Sequence, residues 1–292
     1  MSIHSKRLLS GCQGCERLDI QKARHFVEAN GTELERYRLN HLLGKEKGDE
    51  IPLRHLRGLQ NDDGGFPYRE EKGKLSSVNS TSARLSLMIE LELTKSDVCR
   101  KTVEYLLNVQ GEDGSWDENQ AVNQYDPPFW DTPGDLKTKM WLTAAITNCL
   151  IQLGHSESEA VRKATQYLLK NRDDEGRFAG FLHSTWISVG VFGQLEGANS
   201  GIVKKTLNVV ERNVSRMEDG ASDFVWCLEC FHVAGIPKDD AVAKRYIARV
   251  IALQSDNGSW ASGDGEKYVV SNTISALRVL KMYGFGELKI TV

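Results

Sequence analysis

A single phrase recurs along this chain and restricts its fold more than any other feature. It reads Gln60-Asn-Asp-Asp-Gly-Gly-Phe66, then Gln110-Gly-Glu-Asp-Gly-Ser-Trp116, and again Gln254-Ser-Asp-Asn-Gly-Ser-Trp260. Asn171-Arg-Asp-Asp-Glu-Gly-Arg-Phe178 is a copy one residue longer, and Asp219-Gly220 is a worn fifth copy. The phrase glycines stand at 64, 114, 176, 220 and 258, so the period holds while the insertions between copies vary. A sequence that repeats on this scale builds one supersecondary unit many times and buries a shared core between neighbours.

The flanks of the phrase identify that unit. Before it runs an amphipathic segment with apolar residues at helical spacing, such as Val98-Thr102-Leu106-Val109 and Val161-Ala164-Leu168. After it comes a more apolar segment ending in glycine: Gly154, Gly197, Gly235 and Gly284, with Gly44 closing a similar run. Glycine just past a helix end is the expected left-handed cap. The pattern predicts apolar inner helices near 33-43, 79-94, 136-154, 183-198, 221-236 and 267-284. Amphipathic outer partners are expected near 18-29, 52-60, 97-110, 159-172, 201-216 and 241-254. The expected fold is all-α, an α/α toroid (an α6/α6 barrel) of five to six helix pairs. It would form a single domain over 16-286, with a tail at 1-15 and another at 287-292. Within each phrase the Asp-Gly step turns the chain from outer to inner helix, and the Gln and the aromatic staple adjacent pairs.

Charge and hydropathy exclude several function classes. The formal net charge of -3 supplies no basic field for nucleic acid. No stretch reaches the roughly 20 apolar residues of a membrane span, and Met1 to Gly14 contains no signal-length apolar run, so a cytoplasmic protein is expected. Two Cys-x-x-Cys pairs, Cys12/Cys15 and Cys227/Cys230, lie more than 200 residues apart. We read them as a loose N-terminal pair and a buried helix face, with no structural metal.

Gln-x-x-x-Gly-x-Trp/Phe, repeated through a series of helix pairs, resembles the QW motif of squalene cyclases and the looser form in protein prenyltransferase β subunits. The resemblance covers about residues 52 to 284. It implies an isoprenoid-processing, terpene cyclase-like enzyme acting in a central aromatic cavity on an isoprenoid small molecule. Alternatives within the same resemblance are a prenyltransferase β-like subunit needing a second protein subunit, and a non-catalytic isoprenoid-binding ring. The Asp-x-Asp-Asp of proton-initiated cyclases does not occur here, and the inner-helix Asp-x-Cys of zinc prenyltransferases is not met, since Asp223 and Cys227 are four apart.

Chemistry must then come from other carboxylates. Counting twelve positions back from each helix-ending glycine gives Asp223 as the one carboxylate, at the place where cyclases hold their proton donor. Burial among aromatics would keep such an acid neutral. The longest insertion, Asp117 to Asp135, contributes Asp126, Asp131 and Asp135 beside Phe129 and Trp130. Asp131 and Asp135 join Asp223 as candidate catalytic groups, with Mg²⁺ a possible cofactor. Lys137 and Lys139 follow directly and suit a diphosphate. Tyr68, Trp130, Trp141, Trp186, Trp226 and Tyr268 are the aromatics expected to shape a substrate chain and stabilise a carbocation. His183 and His232 read as core histidines. Arg84, on an apolar helix, needs a partner, for which Glu90 or a bound anion is expected.

Overall fold

The computed structural model describes residues 18–46, 48–214, 217 and 220–285. The tails, Cys12, Cys15 and Asp219 lie outside them. The described residues form twelve α-helices: α1 (Ile20–Asn30), α2 (Glu33–Leu42), α3 (Glu50–Leu59), α4 (Val78–Glu90), α5 (Asp97–Asn108), α6 (Leu136–Gln152), α7 (Glu159–Lys170), α8 (Leu182–Glu196), α9 (Gly201–Arg212), α10 (Ser222–Val233), α11 (Ala241–Ala252) and α12 (Val269–Met282). Each falls on a segment expected from the repeat. Among the described residues strand is confined to one antiparallel hairpin, Phe66–Pro67 with Ser76–Ser77, and two isolated bridges, Arg172 with Phe178 and Gln254 with Trp260.

Two compact units result. Of the described residues, the larger comprises 40–46, 48–214 and 229–237; the smaller comprises 18–39, 217, 220–228 and 238–285. In the larger, α6 packs against α4, α7 and α8, and α9 packs on α8. In the smaller, α1 packs against α12, so the first and last helices meet.

Inner and outer helices differ in the way their sequences predicted. Along α8, ten consecutive residues from Ser184 to Gly193 are buried, as an all-round apolar helix requires. In α7 only the stripe Val161, Ala164 and Leu168 is buried. Most outer helices start on a side-chain cap. Asp19, Ser96, Ser158, Ser200 and Asp240 each accept from a backbone amide two or three residues on, which satisfies an otherwise orphaned donor.

The phrase works as a joint, and its parts have separable tasks. Asp63, Asp113 and Asn257 each accept from the amide two residues later, folding the turn. Gln110 donates through Nε2 to the Gly114 carbonyl at 2.9 Å and to the Ala160 carbonyl, in the first turn of α7, at 2.9 Å. Gln60 does the same to Gly64 and Val98 of α5. Gln254 does so to Gly258 and to Asp19, the cap of α1. The last phrase thus treats the first helix as its next neighbour.

Glycine is required in the joint for two reasons. Gly114 has φ +87°, and a Cβ there would stand 2.5 Å from the carbonyl oxygen of Lys163. Gly64 meets Lys101, and Gly258 meets Lys22, in the same manner. Gly114→Ala is therefore expected to cost about 1–3 kcal/mol, from left-handed strain and lost helix approach, measurable as a lower urea midpoint. The helix-ending glycines 44, 154, 197, 235 and 284 also adopt positive φ.

One side-chain expectation is extended and one is corrected. Arg84 pairs with Glu70, a partner that the loop after the first phrase brings to it and that the sequence pattern did not single out. His232 is exposed, because it lies on the solvent side of the last turn of α10. His183 is half-buried and meets Trp186 edge-on at 4.4 Å.

Candidate active site

The insertion 117–135 is a structured loop tied at its base. Both carboxylate oxygens of Asp117 accept from the Gly134 amide, at 3.0 and 2.9 Å, and Lys139 of α6 stands 3.7 Å from Asp117. A 3-10 turn, Gln120–Tyr125, crosses it and anchors it on the buried Val122. Its far end is held by Trp130, whose carbonyl accepts from Trp141 Nε1 at 2.9 Å and from Thr138 Oγ1 at 3.3 Å.

This loop delivers two carboxyl groups to the N-terminus of α4. Glu118 and Asp131 are 2% and 4% exposed, among the most buried charged side chains of the protein. Glu118 accepts from Ser77 Oγ at 2.7 Å, from the amides of Val78 and Asn79 at 2.9 and 3.1 Å, and from the Asn119 amide at 2.7 Å. It therefore occupies the positive end of α4, where a carboxylate is favoured. Asn79 is the link, since its side-chain Nδ2 donates to Asp131 Oδ1 at 3.1 Å.

The two groups share a site but not its donors. Burial is the largest influence on Asp131, and the neighbouring Glu118 adds to it; Asn79 and Arg69 oppose them, and the carboxyl is pushed up to about 7. Burial raises Glu118 as well, against the pull of Ser77 and the three amides. Each carboxyl thus disfavours ionisation of the other, and Glu118 is the one with more donors to a charged form.

Tyr68 lies beside this pair, and further aromatic side chains sit on and around the loop. Tyr68 is buried and stacks on Tyr125 of the loop at 5.3 Å. Its hydroxyl is raised by burial and by the charge on Asp131, and Arg69 opposes them. Lys74 lies 5.6 and 4.7 Å from the Tyr68 and Tyr125 rings. Phe129 and Trp130 meet edge-on at 5.0 Å, and Phe129 reaches Phe181 at 5.9 Å. Phe129 and Trp130 are largely exposed, while Trp186 is fully buried.

Of the residues expected from sequence, Tyr68, Trp130, Asp131, Asp135, Lys137, Lys139, Trp141 and Trp186 lie in the larger unit. Asp135 caps α6 by accepting from the Lys137 amide at 2.7 Å. Lys137 lies 5.7 Å from the Phe181 ring. Asp223, Trp226 and Tyr268 belong to the smaller unit, with Asp223 half-buried in the first turn of α10 and Tyr268 exposed. The three loop aspartates do not converge: Asp131 is on Asn79, Asp135 caps α6, and Asp126 ends the 3-10 turn with φ 51°. Among the described residues no three His, Cys, Asp or Glu side chains are grouped as a metal site requires. Cys227 and Cys230 are buried on α10. Sequence reasoning missed Glu118 and Asn79. Their one signal was position: Glu118 comes two residues after a phrase aromatic, and Asn79 opens an inner helix.

Comparison with known proteins follows the fold. Residues 37–185 and 202–291 match the family described as Prenyltransferase alpha-alpha toroid domain. No curated protein matches the chain. Among solved structures, the type II terpene cyclase MstE from Scytonema, in its apo form, is 13% identical, with a TM-score of 0.56 over 86% of this chain and 87% of that one. A protein from Actinoplanes is 14% identical, with a TM-score of 0.55 over 86% and 89%. A variant of MstE in complex with its substrate, geranylgeranyl dihydroxybenzoate, is 14% identical, with a TM-score of 0.53 over 87% and 88%. At these identities the likeness is one of fold. No helix among the described residues is long and apolar enough to cross a membrane.

Proposed function

The chain belongs to the prenyltransferase alpha-alpha toroid domain family, and we propose that within it this protein is a proton-initiated, terpene cyclase-like enzyme acting on an isoprenoid. The observation that carries the proposal is Asp131: a buried carboxyl, bonded to Asn79, beside a second buried carboxyl and close to Tyr68, and pushed up to about 7. Such a group is still about half protonated at neutral pH, where an ordinary aspartate is almost fully ionised, so it can serve as a general acid. The proton passes from Asp131 to one carbon of a substrate double bond, leaving the carboxylate and a carbocation on the other carbon. A ring closes as a second double bond attacks that cation, and loss of a proton from carbon ends the sequence, so the product is an isomer of the substrate. Aromatic faces on and beside the loop, Tyr68, Tyr125, Trp130 and Trp141, suit a passing positive charge by about 0.5–2 kcal/mol each. The fold likeness to MstE, whose substrate is geranylgeranyl dihydroxybenzoate, supports an isoprenoid chain as the substrate class.

Of the three carboxylates expected from sequence, Asp131 is the buried one, Asp135 serves as a helix cap, and Asp223 is half-buried on another element. The proposed acid is accordingly Asp131. The test is to incubate the protein with geranylgeranyl- and squalene-type substrates and to seek cyclised products of unchanged mass. Asp223→Asn is expected to retain most of that turnover. Loss of turnover in Asp223→Asn with an intact fold would move the acid to α10.

A further inference from the structure

We propose that Glu118 is a positioning residue: its carboxylate, fixed at the N-terminus of α4, keeps the proton of the neighbouring pair on Asp131, and Asn79 directs that proton to Oδ2. The proposal rests on Asp131 being the acid of the reaction above, and it explains how this chain provides one without an Asp-x-Asp-Asp sequence.

The distribution of donors carries it. Two carboxyl groups lie buried in one site, and only one of them is supplied for charge. Glu118 receives a hydroxyl and three backbone amides, two of them from the first turn of α4. Four donors and a helix N-terminus replace much of the water it has lost. Asp131 receives a single side-chain amide, on Oδ1. A proton shared between them therefore goes to Asp131, because a second buried anion there would lack comparable compensation. Asn79 joins both halves, with its backbone amide on Glu118 and its side-chain amide on Asp131. Since Oδ1 is the acceptor of that bond, Oδ2 carries the proton. The other charged or titratable groups acting on this pair are Arg69, Tyr68 and Tyr105, with Lys74 close to the Tyr68 ring. Burial and the Glu118 charge raise Asp131, whereas the Asn79 hydrogen bond lowers it, so the two neighbours pull in opposite directions.

Infrared difference spectroscopy of the full chain reads this without a substrate. The C=O band of a protonated buried carboxyl, assigned by its loss in Asp131→Asn, is titrated in three proteins. In Glu118→Gln the midpoint is expected to fall by about one pH unit or more, a tenfold or greater loss of proton affinity. In Asn79→Ala, which keeps the backbone amide on Glu118, it is expected to rise. A purely structural role would lower melting temperatures and leave both midpoints in place. An unmoved midpoint in folded Glu118→Gln overturns the proposal. So does a band that survives Asp131→Asn and vanishes in Glu118→Gln, which would place the proton on Glu118. If Glu118→Gln does not fold, Asn79→Ala decides alone, and a midpoint that fails to rise is the overturning result. Opposite shifts in a protein that turns over no isoprenoid would sink the proposed activity and leave this charge arrangement standing.

Discussion

Trp116→Ala is expected to destabilise the protein by about 3–5 kcal/mol, the usual cost of emptying a fully buried aromatic site. Trp116 is wholly buried, and it is also hydrogen-bonded at both ends. Its amide donates to Thr143 Oγ1 of α6 at 2.9 Å, and its indole Nε1 donates to the Leu106 carbonyl near the end of α5 at 2.6 Å. One residue therefore pins an outer helix to the inner helix that follows it. The alanine variant loses the packing and also leaves the Leu106 carbonyl short of a partner. Trp260 repeats the arrangement in the smaller unit, with Thr273 Oγ1 at 3.1 Å and the Val250 carbonyl at 2.6 Å, so Trp260→Ala is expected to match it. Urea unfolding followed by far-ultraviolet circular dichroism gives the comparison. Unchanged stability together with lost ligand binding would remove Trp116 from the framework and place it in the site.

These joints also show why so much of the fold was legible. A repeat exposes its own logic: whatever recurs at Gln60, Gln110 and Gln254 must solve the same local problem three times. Here the problem is how to turn from an outer helix and attach to the next one. The two smaller copies fit the same scheme, since the amides of Phe66 and Phe178 also bond a threonine of the following helix, Thr81 and Thr185. That threonine was readable in retrospect but is too common a residue to stand out in one sequence. The site was less legible for a different reason. Asp131 could be nominated from its loop, yet its environment depends on Glu118 and Asn79, which lie 13 and 52 positions away in sequence. No periodicity brings those three together. The loop's tie from Asp117 to Gly134 does so, and that contact exists only in three dimensions. Asp223 was chosen by alignment to helix ends, which predicts position on a helix but not burial.

Asp131→Asn is expected to reverse the pH dependence of stability and to abolish turnover. In the folded protein the carboxyl sits at about 7, against an ordinary value of 3.8. A group raised on folding contributes stability that is complete below its unfolded value and is lost as pH climbs through the folded one. For Asp131 that window runs from about pH 4 to pH 7, and the loss across it is roughly 2–4 kcal/mol. Glu118 is raised in the same direction but is present in both proteins, so the difference between wild type and variant isolates Asp131. Asparagine cannot ionise, still accepts from Asn79 through Oδ1, and places an amide where the proton stood. The wild type should therefore match or exceed the variant at pH 5, and the variant should be the more stable at pH 8.5, with curves crossing between. Chemical denaturation at a series of pH values measures the crossing. Turnover should fall by at least about 10²–10⁴-fold in the variant, because a general acid has been replaced by a group with no transferable proton. The two readouts are linked by one cause: the same desolvated proton that costs stability when it leaves is the one given to the substrate. Wild-type stability that rises from pH 5 to pH 8 alongside the variant would mean that Asp131 is already ionised at neutral pH, and the proton donor would then have to be sought outside this loop.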